Sequence, residues 1–394
     1  MKNKLVSSVF ALILLTIVVA TYTVSFKLNL AQLESQKLAQ NSSDTPNLIE
    51  FAGAKAGNIS VVPVTVPTNS PGAPVQTTPI PRMFLAGGHS VDPISQIPTQ
   101  SINDVVSSIN GSTWNQLTNN SIWIPRSHHS LTYLGGLMFL MGGATPNVFA
   151  ATEFNDVYSS IDGTNWTQVL ANAPWAPRSH HNVVAHNGKL FIMGGSAIYT
   201  APCCTRIYFN DVWSSVDGQN WISLGNAPWS GRDMYASVVF NNKIWVMGGG
   251  INIFQPMPTD DVWSSPDGIN WTLEAVNVPW GSRYLHSATV FNGKIYVIGG
   301  IDQSLGMALN DVWSSSDGIN WTLETPNTGW TLRYGHTSLV FDGYMWVIGG
   351  KYYTNTSSKV YTDVWKSGDG ITWTQQVASI PGVNGDGFAG VVMP

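Results

Sequence analysis

Five arginines recur at one position of a repeated segment and are the side chains best suited to bind a ligand. Each lies three residues after a tryptophan, in the pattern Trp-x-x-Arg-x-x-His or a close variant: Arg126, Arg178, Arg232, Arg283 and Arg333. A guanidinium group can donate two parallel hydrogen bonds to a carboxylate or phosphate. If the repeats are arranged around an axis, the arginines form a ring that is a candidate anion site. The alternative is structural, each arginine stacking on its tryptophan and bridging neighbouring repeats. Recurrence in five repeats favours the structural interpretation, because a ligand site usually uses equivalent positions unequally.

Four histidines in the same segments are candidate metal ligands: His128, His180, His286 and His336. Zinc needs nitrogens about 2.0–2.1 Å from one shared centre. Equivalent positions on successive repeats diverge around an axis, and no carboxylate cluster accompanies them. We therefore expect hydrogen bonds between repeats, and we predict no metal site and no cofactor. His129 and His181 follow directly and should point to the opposite side of a strand.

One repeat departs from the pattern at several places together. Asp233 follows Arg232, and Tyr235 stands where other repeats have histidine. Structural demands should act alike in every repeat, so this irregular repeat is the centre of the predicted binding surface. The candidate ligand-binding residues are Arg126, Arg178, Arg232, Asp233, Tyr235, Arg283 and Arg333.

Acidic residues that could serve in catalysis are few. Glu153, Glu274 and Glu324 are the only glutamates after residue 80. No pair can be shown to converge, so two facing carboxylates, as glycosidases need, are unsupported. We predict no catalytic residues. Six aspartates that precede a Val-Trp-like pair are predicted to be structural, accepting backbone N–H bonds: Asp104, Asp156, Asp211, Asp261, Asp311 and Asp363.

The composition excludes several classes of function. Charged residues make up only 10% of the 394 residues, against about 25% in a typical soluble domain. Between residues 81 and 394 there are 13 basic and 20 acidic residues and no basic run, so binding to nucleic acid has little support. The two cysteines, Cys203 and Cys204, are adjacent. They are expected to form a loop pair, free or joined as a vicinal disulfide.

A unit of about 50 residues repeats six times and must position these side chains. Each unit has a Gly-Gly pair after an apolar run such as "KIYVIGG", then a variable loop, then "NDVWSS" or a variant. Asp-Gly or Asn-Gly follows, then an "NWTLE"-like stretch, the Trp-x-x-Arg segment and "HSATVF". Each unit is therefore predicted to form four strands, A ("HSATVF"), B ("KIYVIGG"), C ("DVWSS") and D ("NWTLE"), with tight A–B and C–D hairpins. Stacking six such sheets around an axis buries the faces that one sheet leaves exposed.

This pattern resembles the kelch repeat, in its Gly-Gly after strand B, its downstream tryptophan and its length. The resemblance covers residues 81–394 and implies an all-β, six-bladed propeller with four antiparallel strands per blade. The first Gly-Gly unit lacks a strand A, whereas the chain ends with "IPGVNGDGFAGVVMP". We predict that this tail supplies strand A of the first blade, with Ile380, Val383 and Asp386 in the Trp, Arg and His places, and so closes the ring.

Residues 1–80 are predicted to lie outside the propeller. Lys2 and Lys4 precede an apolar stretch from Leu5 to about Phe26, so residues 1–26 are a cleaved signal peptide or a retained membrane anchor. Residues 27–80 lack periodicity, contain "VPVTVPTNSPGAPVQTTPIP" and are expected to form a stalk or linker. Whether residues 1–26 are cleaved or retained, the propeller would be exported to the cell surface, the periplasm or the outside of the cell.

The strand order predicts two different faces of the propeller. We call the side with the D–A and B–C connections the loop face, and the side with the A–B and C–D hairpins the hairpin face. Variable loops on a rigid scaffold carry recognition, so we expect the loop face to bind a glycan, peptide or partner protein. The alternative is a carbohydrate-active enzyme, because similar propellers include copper radical oxidases and periplasmic sialic-acid epimerases. The oxidase resemblance implies a Cys–Tyr cross-link beside copper, which the paired cysteines argue against, whereas the epimerase resemblance implies an arginine and an acid near the channel.

Overall fold

The computed structural model describes residues 80–91, 98–145, 152–199, 205–250, 259–353, 358–381, 383 and 387–394. Blade 1 holds β1 (Arg82–Ala86), the two-stranded ribbon β2 (His89–Val91) and β3 (Pro98–Ser101), β4 (Val105–Ser108) and β5 (Asn115–Thr118). Blade 2 holds β6 (Ser130–Leu134), β7 (Leu137–Met141), β8 (Val157–Ser160) and β9 (Thr167–Leu170). Blade 3 holds β10 (Asn182–His186), β11 (Lys189–Met193), the ribbon β12 (Ser196–Tyr199) and β13 (Thr205–Tyr208), β14 (Asp211–Ser215) and β15 (Trp221–Asn226).

The remaining blades repeat the arrangement. Blade 4 holds β16 (Ala236–Phe240), β17 (Lys243–Met247), β18 (Val262–Ser265) and β19 (Thr272–Ala275). Blade 5 holds the short β20 (Arg283–Tyr284), β21 (Ser287–Phe291), β22 (Lys294–Asp302), β23 (Met307–Ser315) and β24 (Thr322–Thr325). Blade 6 holds β25 (Thr337–Phe341), β26 (Tyr344–Tyr353), β27 (Ser358–Ser367) and β28 (Thr374–Val377), and β29 (Ala389–Met393) returns to blade 1. The six antiparallel sheets confirm the predicted propeller.

The last strand closes the ring. β29 pairs antiparallel with β1 from Arg82 opposite Met393 to Ala86 opposite Ala389. The first blade therefore takes its inner strand from the C-terminus and its other three from the N-terminal unit, as predicted. This pairing covers an edge of β1 that would otherwise present unpaired N–H and C=O groups.

The C–D hairpins fix each blade against the preceding one. In blade 2, Ser160 Oγ accepts the N–H of Gly163 at 2.8 Å, and Trp166 Nε1 donates to the carbonyl of the same glycine at 2.9 Å. Gly163 has φ +77°, and a Cβ there would lie 2.8 Å from the ring of Phe84 in blade 1. Only glycine satisfies both the left-handed backbone and the close approach. The same turn packs on an aromatic ring of the neighbouring blade all around the propeller.

The core lies between blades and is built largely from aromatic side chains. The strand-D tryptophan of blade 2, Trp166, meets the D–A tryptophan Trp123 edge to face, with ring centroids 6.3 Å apart. Phe84 of blade 1 belongs to the same buried cluster, which confirms that the strand-D tryptophans form contacts from blade to blade.

The predicted signal or anchor (1–26), almost all of the predicted stalk, and Cys203 and Cys204 lie outside the described residues. Within the described ranges, no helix is long and apolar enough to cross a bilayer.

Candidate functional site at the channel mouth

The five predicted arginines lie at equivalent places, and each is at most 2% exposed. Each forms a two-pronged salt bridge with the aspartate directly before the strand-C valine of its own blade, the shorter N–O distances being 2.5–2.9 Å. The pairs are Arg126–Asp156, Arg178–Asp211, Arg232–Asp261, Arg283–Asp311 and Arg333–Asp363. The aspartates therefore bind guanidinium groups and not chiefly the backbone N–H groups expected from the sequence.

Arg178 shows how completely the scaffold uses such a guanidinium group. Its two terminal nitrogens donate to the Asp211 carboxylate, both at 2.7 Å. Nη1 also donates to the carbonyl of Gly194 at 2.9 Å, and Nε donates to Ala176 O at 3.0 Å. Its Cζ lies 5.9 Å from the ring centre of Trp175. The guanidinium group thus joins the D–A segment to the B–C connection within one blade. The link to the neighbouring blade that the structural alternative predicted is made by the backbone, where Arg178 O accepts the N–H of Gly143 in blade 2 at 2.9 Å.

Blade 1 has an aspartate without this partner. The N–H of Ile380 donates to Thr362 O at 2.9 Å. The equivalent bond in a regular segment is donated by Ala227, which lies two residues before Trp229. Ile380 therefore occupies the alanine position and not the predicted tryptophan position. Counted from there, the arginine place falls on Gly385, which is outside the described residues. In blade 1, burial raises the pKa of Asp104.

The tail also corrects the predicted histidine position of blade 1. Phe388 lies against Gly349 as His129 lies against Gly87 and His181 against Gly142. Phe388 therefore takes the histidine place, not Asp386, which lies outside the described residues. The prediction was two residues out of register because the irregular tail lacks the Trp and Arg that mark the other five segments.

The irregular blade is also built into the scaffold. Tyr235 is 4% exposed and donates its hydroxyl to Met193 O at 2.6 Å. Asp233 is 1% exposed and accepts hydrogen bonds from Ser196 Oγ at 2.6 Å and Arg206 Nη1 at 3.2 Å. Burial raises the pKa of Asp233 to about 6, although Arg206 and the Ser196 hydroxyl oppose this. The Tyr235 contact ties blade 4 to strand β11 of blade 3, and the Asp233 contacts tie it to the B–C ribbon of the same blade.

The histidines divide into two sets that differ from the predicted grouping. One set consists of four equivalent histidines buried between blades: His129, His181, His286 and His336. The pKa of each is lowered to about 3, mainly by burial and next by the charge of the arginine of the same segment. His336 Nε2 shares a hydrogen bond with Ser287 Oγ at 2.8 Å, which joins blades 5 and 6. His128 and His180 occupy the preceding position instead. The described residues contain no group of three or more His, Cys, Asp or Glu side chains able to hold a metal ion.

The position before these histidines forms a ring at the end of the central channel on the loop face, which we call the mouth ring. Its six members are His128, His180, Met234, Leu285, Gly335 and Gly387, and all have φ between +53° and +69°. Backbone N–H groups donate to the carbonyl of the preceding member across five of the six junctions, at 2.8–3.2 Å. The left-handed backbone turns each amide toward the neighbouring blade, so the ring ties the blades together and places four side chains at the channel entrance.

Two imidazoles dominate one side of the mouth ring. The His128 and His180 rings are stacked, with centroids 3.9 Å apart and planes at 25°. His89, from the B–C ribbon of blade 1, lies edge-on to His128 at 5.2 Å. Ser127 Oγ is hydrogen-bonded both to His89 Nε2, at 2.5 Å, and to His128 Nδ1, at 3.0 Å. These three rings and one hydroxyl form a polar cluster, which we call the imidazole shelf.

The electrostatics of the shelf favour a neutral imidazole at His180. Burial holds the pKa of His180 well below its usual value, and His128, Arg206 and Lys351 lower it further. A negatively charged group would act in the opposite direction on the same ring. Glu153 lies near the edge of this region, accepts the N–H of Ile198 at 3.1 Å, and has its pKa raised by burial.

Behind the ring the channel contains two adjoining spaces, of which the inner is the more polar. The outer one, of about 190 Å³, is bounded by the mouth ring and by the buried histidines. The inner one, of about 280 Å³, is lined by strand-A residues such as Ser130, Asn182 and Ser287. Since about 10–15 Å³ of such space admits one water molecule, the outer space has room for a small chemical group.

Sequence reasoning missed the imidazole shelf because it assigned His128 and His180 to the wrong position. A signal was present: the equivalent residue of blade 6 is Gly335, in "RYGHTS", and a glycine there indicates positive φ. The doubled histidines of "RSHHS" and "RSHHN" then place one imidazole in the ring and one in the blade interface.

Two family models match the sequence. The KLHDC2/KLHL20/DRC7 Kelch-repeats domain matches residues 77–272, and the Kelch motif matches residues 282–314. Together they span most of the described blades.

Relatives cover only part of the chain. It is 35% identical over 135 residues to the dynein alpha chain of the flagellar outer arm of Chlamydomonas reinhardtii, which is 32% of this chain and 3% of that protein. It is 28% identical over 176 residues to the Kelch-like protein terF of Aspergillus terreus, covering 42% and 35% of the two chains. The chain thus spans about a third or less of these relatives. The solved structure of YjhT superposes with a TM-score of 0.56 at 18% identity, over 76% of this chain and 98% of that one, which is a likeness of fold.

Proposed function

Because this chain belongs to the kelch-repeat β-propeller family, we propose that it is an exported binding module whose loop face takes a glycan, a peptide or a partner protein. The end of the ligand would enter the channel mouth, and its remainder would lie across the B–C connections. Kelch propellers are generally binding modules, and fold alone leaves the ligand open. The residues of the mouth therefore have to indicate the ligand.

The observation that carries the proposal is the backbone conformation of the mouth ring. A left-handed φ costs a residue with a side chain about 1 kcal/mol or more, whereas glycine adopts it freely. Blades 6 and 1 use glycine there, yet the other four blades place His128, His180, Met234 and Leu285 at φ 53–58°. The hydrogen bonds of the ring need only the backbone. The four side chains are therefore retained for what they present at the entrance.

The chemistry of the mouth is divided between its two sides. The imidazole shelf offers flat surfaces and ring nitrogens, while Met234 and Leu285 offer apolar contact. Gly335 and Gly387 leave the remaining sector without side chains. Such a mixture suits a sugar ring or a peptide terminus, which has an apolar face and several hydrogen-bonding groups. Arg206 and Lys351, which act on His180, would favour a ligand end that carries a carboxylate.

The five buried arginines have a different part in this proposal. Their carboxylate partners and carbonyl acceptors occupy the groups that an anion would need, so they support the loop face from beneath. Export is proposed from the N-terminal sequence, in which Lys2 and Lys4 precede the apolar stretch Leu5–Phe26.

A direct test compares the full-length protein with His128→Gly and His180→Gly on arrays of glycans and peptides. Glycine keeps the left-handed backbone but removes the ring, so both variants should keep the fold and lose capture of whatever the native chain retains. Asn277→Gly is a matched control, because Asn277 has φ 52° outside the mouth ring. Capture that survives both histidine changes would place the site elsewhere on the loop face.

The second candidate is an epimerase-like enzyme acting on an acidic sugar. The favouring observation is Asp233, whose pKa of about 6 suits proton transfer near neutral pH, beside Arg206. Its carboxylate is only 1% exposed, which favours a structural role and ranks this candidate second. Proton NMR of sialic acid with and without the protein tests it: acceleration of anomer or epimer exchange that Asp233→Asn abolishes would support catalysis.

A further inference from the structure

The hairpin face carries one exposed aliphatic side chain at the C–D turn of every blade. These side chains are between 43% and 64% exposed. They are Ile109, Ile161, Val216, Ile269, Ile319 and Ile371. We call this set the aliphatic ring.

The fold explains the other residues of each turn but not these. In blade 3, Ser215 Oγ accepts the N–H of Gly218, Asp217 Oδ1 accepts two backbone N–H groups, and Trp221 Nε1 donates to Gly218 O. The aliphatic side chain takes no part in this network, although in blades 4–6 the backbone N–H of the same residue donates to the turn aspartate, as Ile319 does to Asp317 at 2.8 Å. A single exposed apolar side chain is ordinary, but these six recur at the same turn of every blade and on the same face of the propeller.

The position of the aliphatic residue changes while its presence does not. In blades 1–3 it stands directly before the Asn or Asp of the turn, as Ile161 does before Asp162. In blades 4–6 it stands directly after the glycine, as Ile319 does after Gly318. A demand of the turn itself would fix one position. Every turn has one aliphatic residue, but at one of two different positions. This indicates that the apolar surface, and not the turn geometry, requires it.

The chain enters the propeller on this same face. Met83, in the first described strand, pairs with Ser108, which directly precedes the blade 1 turn at Ile109. The described chain therefore begins at the hairpin face, and the sequence before Ile80 includes the apolar stretch Leu5–Phe26. A chain held in a bilayer by that stretch would present this face at high effective concentration, so that weak individual contacts suffice.

We propose that the hairpin face rests on a lipid bilayer, with the aliphatic ring at the headgroup boundary and the loop face directed away from the membrane. Exposed aliphatic side chains partition into this boundary region by burying apolar area. The turns also carry five carboxylates, those of Asp162, Asp217, Asp267, Asp317 and Asp369. This negative ring disfavours anionic lipid, so the surface matches a net-neutral bilayer such as phosphatidylcholine. This orientation rests on the proposed export and on retention of Leu5–Phe26 in the bilayer, and it is independent of which ligand binds the channel mouth.

The test places a polarity-sensitive fluorophore on the full-length chain bound to preformed phosphatidylcholine vesicles. Cys203 and Cys204 are replaced by serine, and a single cysteine is introduced as Ile319→Cys or, as the matched control, Leu323→Cys. Both positions lie in blade 5 and are 43% and 42% exposed, but Leu323 is on the outer strand β24. We expect a blue-shifted emission at position 319 that nitroxide-labelled phosphatidylcholine quenches, and neither effect at position 323.

A second variant separates the contribution of the ring from that of the label. In the Ile319→Cys chain, the other five ring residues are changed to serine, and the blue shift and quenching at 319 should be lost while the unfolding transition is retained. Equal quenching at 319 and 323, or quenching that survives the five serines, would overturn the proposal. A blue shift that depends on protein density and not on lipid would also overturn it and would identify a second copy of the chain as the occupant.

Discussion

The imidazole rings of His128 and His180 stack at a centroid distance of 3.9 Å although they belong to consecutive blades. The N–H of His180 also donates to His128 O at 3.0 Å. The junction between blades 2 and 3 is thus held both by the stacked side chains and by a backbone hydrogen bond, and the backbone bond does not need the imidazoles. The stability of the propeller and the surface of its mouth can therefore be changed separately.

Replacing His180 by glycine should separate these two properties. Loss of the stacking contact is offset by relief of the left-handed φ, so the free energy of unfolding should change by no more than about 1 kcal/mol. Binding at the mouth should fall at least tenfold if the imidazole contributes one hydrogen bond, worth about 1.4 kcal/mol. Urea unfolding and titration with a ligand found on the arrays measure the two effects. A large loss of stability would show that the imidazoles are structural.

Arg232→Ala and Arg333→Ala should destabilise the protein alike. Each change leaves a partly buried aspartate without its guanidinium partner, and breaking such a pair costs about 3–5 kcal/mol. Arg232 lies in the irregular blade and Arg333 in a regular one, so the comparison also tests the predicted arginine site. Stability and binding are measured on both variants. A specific loss of binding in Arg232→Ala, with stability retained, would return the ligand to the arginine ring.

Asp104 and Asp363 should respond oppositely to neutralisation. Asp363→Asn leaves Arg333 buried without a counter-charge and should cost about 3–5 kcal/mol. Asp104 has a pKa raised by burial, so its charged form is the disfavoured one, and Asp104→Asn should be neutral or slightly stabilising at pH 7. Thermal unfolding of the two variants decides this. Equal destabilisation would mean that blade 1 holds a cation against Asp104.

Acid should unfold the propeller over an unusually narrow range of pH. The pKa of His129, His181, His286 and His336 is lowered to about 3, chiefly by burial. These side chains are neutral when folded and charged when unfolded below pH 6.5, so their stabilisation is complete above 6.5 and is lost as the pH falls towards 3. Each contributes about 1.4 kcal/mol per pH unit in that interval. Over about two or three pH units, the free energy of unfolding lost through the four histidines together exceeds the whole stability of a typical domain.

Chemical unfolding at several pH values measures this slope. His181→Gln should reduce the slope between pH 6 and 4 by about one proton, whatever it does to the absolute stability. Asp233 works against the trend, because its pKa is raised to about 6 and its protonation on the folded chain is favourable. A slope unchanged in His181→Gln would show that the histidines are not the titrating groups.

Removing residues 387–394 should destabilise all six blades together. The deletion removes β29 and with it the pairing to β1 and the Phe388 contact with Gly349, so an inner strand edge is exposed. We expect aggregation or a melting temperature lower by many degrees, in one cooperative transition by circular dichroism. A melting temperature within a degree or two of the full-length chain would contradict closure by the C-terminal strand.

The local pattern of the sequence was sufficient for the architecture. Gly-Gly, Asp-Gly and the alternation of strands A to D recur in register, and each unit is short enough that neighbouring residues determine its hairpins. The missing first strand and the surplus last one together predict closure, because a sheet edge must be paired. The prediction failed only in register at the tail, where Ile380 lacks the flanking tryptophan and arginine that mark the other segments.

The chemistry of the loop face was decided by the tertiary structure. Sequence spacing relates Arg178 to Trp175, but its true partner Asp211 lies beyond a variable loop, and only the paired strands bring them to 2.7 Å. Likewise, adjacent residues such as His128 and His129 look equivalent in sequence, whereas a left-handed φ at the first sends one imidazole to the channel mouth and the other into the blade interface. Contacts that depend on the sign of φ and on the stacking of six separate sheets leave no pattern among neighbouring residues. The sequence therefore predicted the six-bladed ring, whereas the tertiary structure determined which side chains lie at the channel mouth.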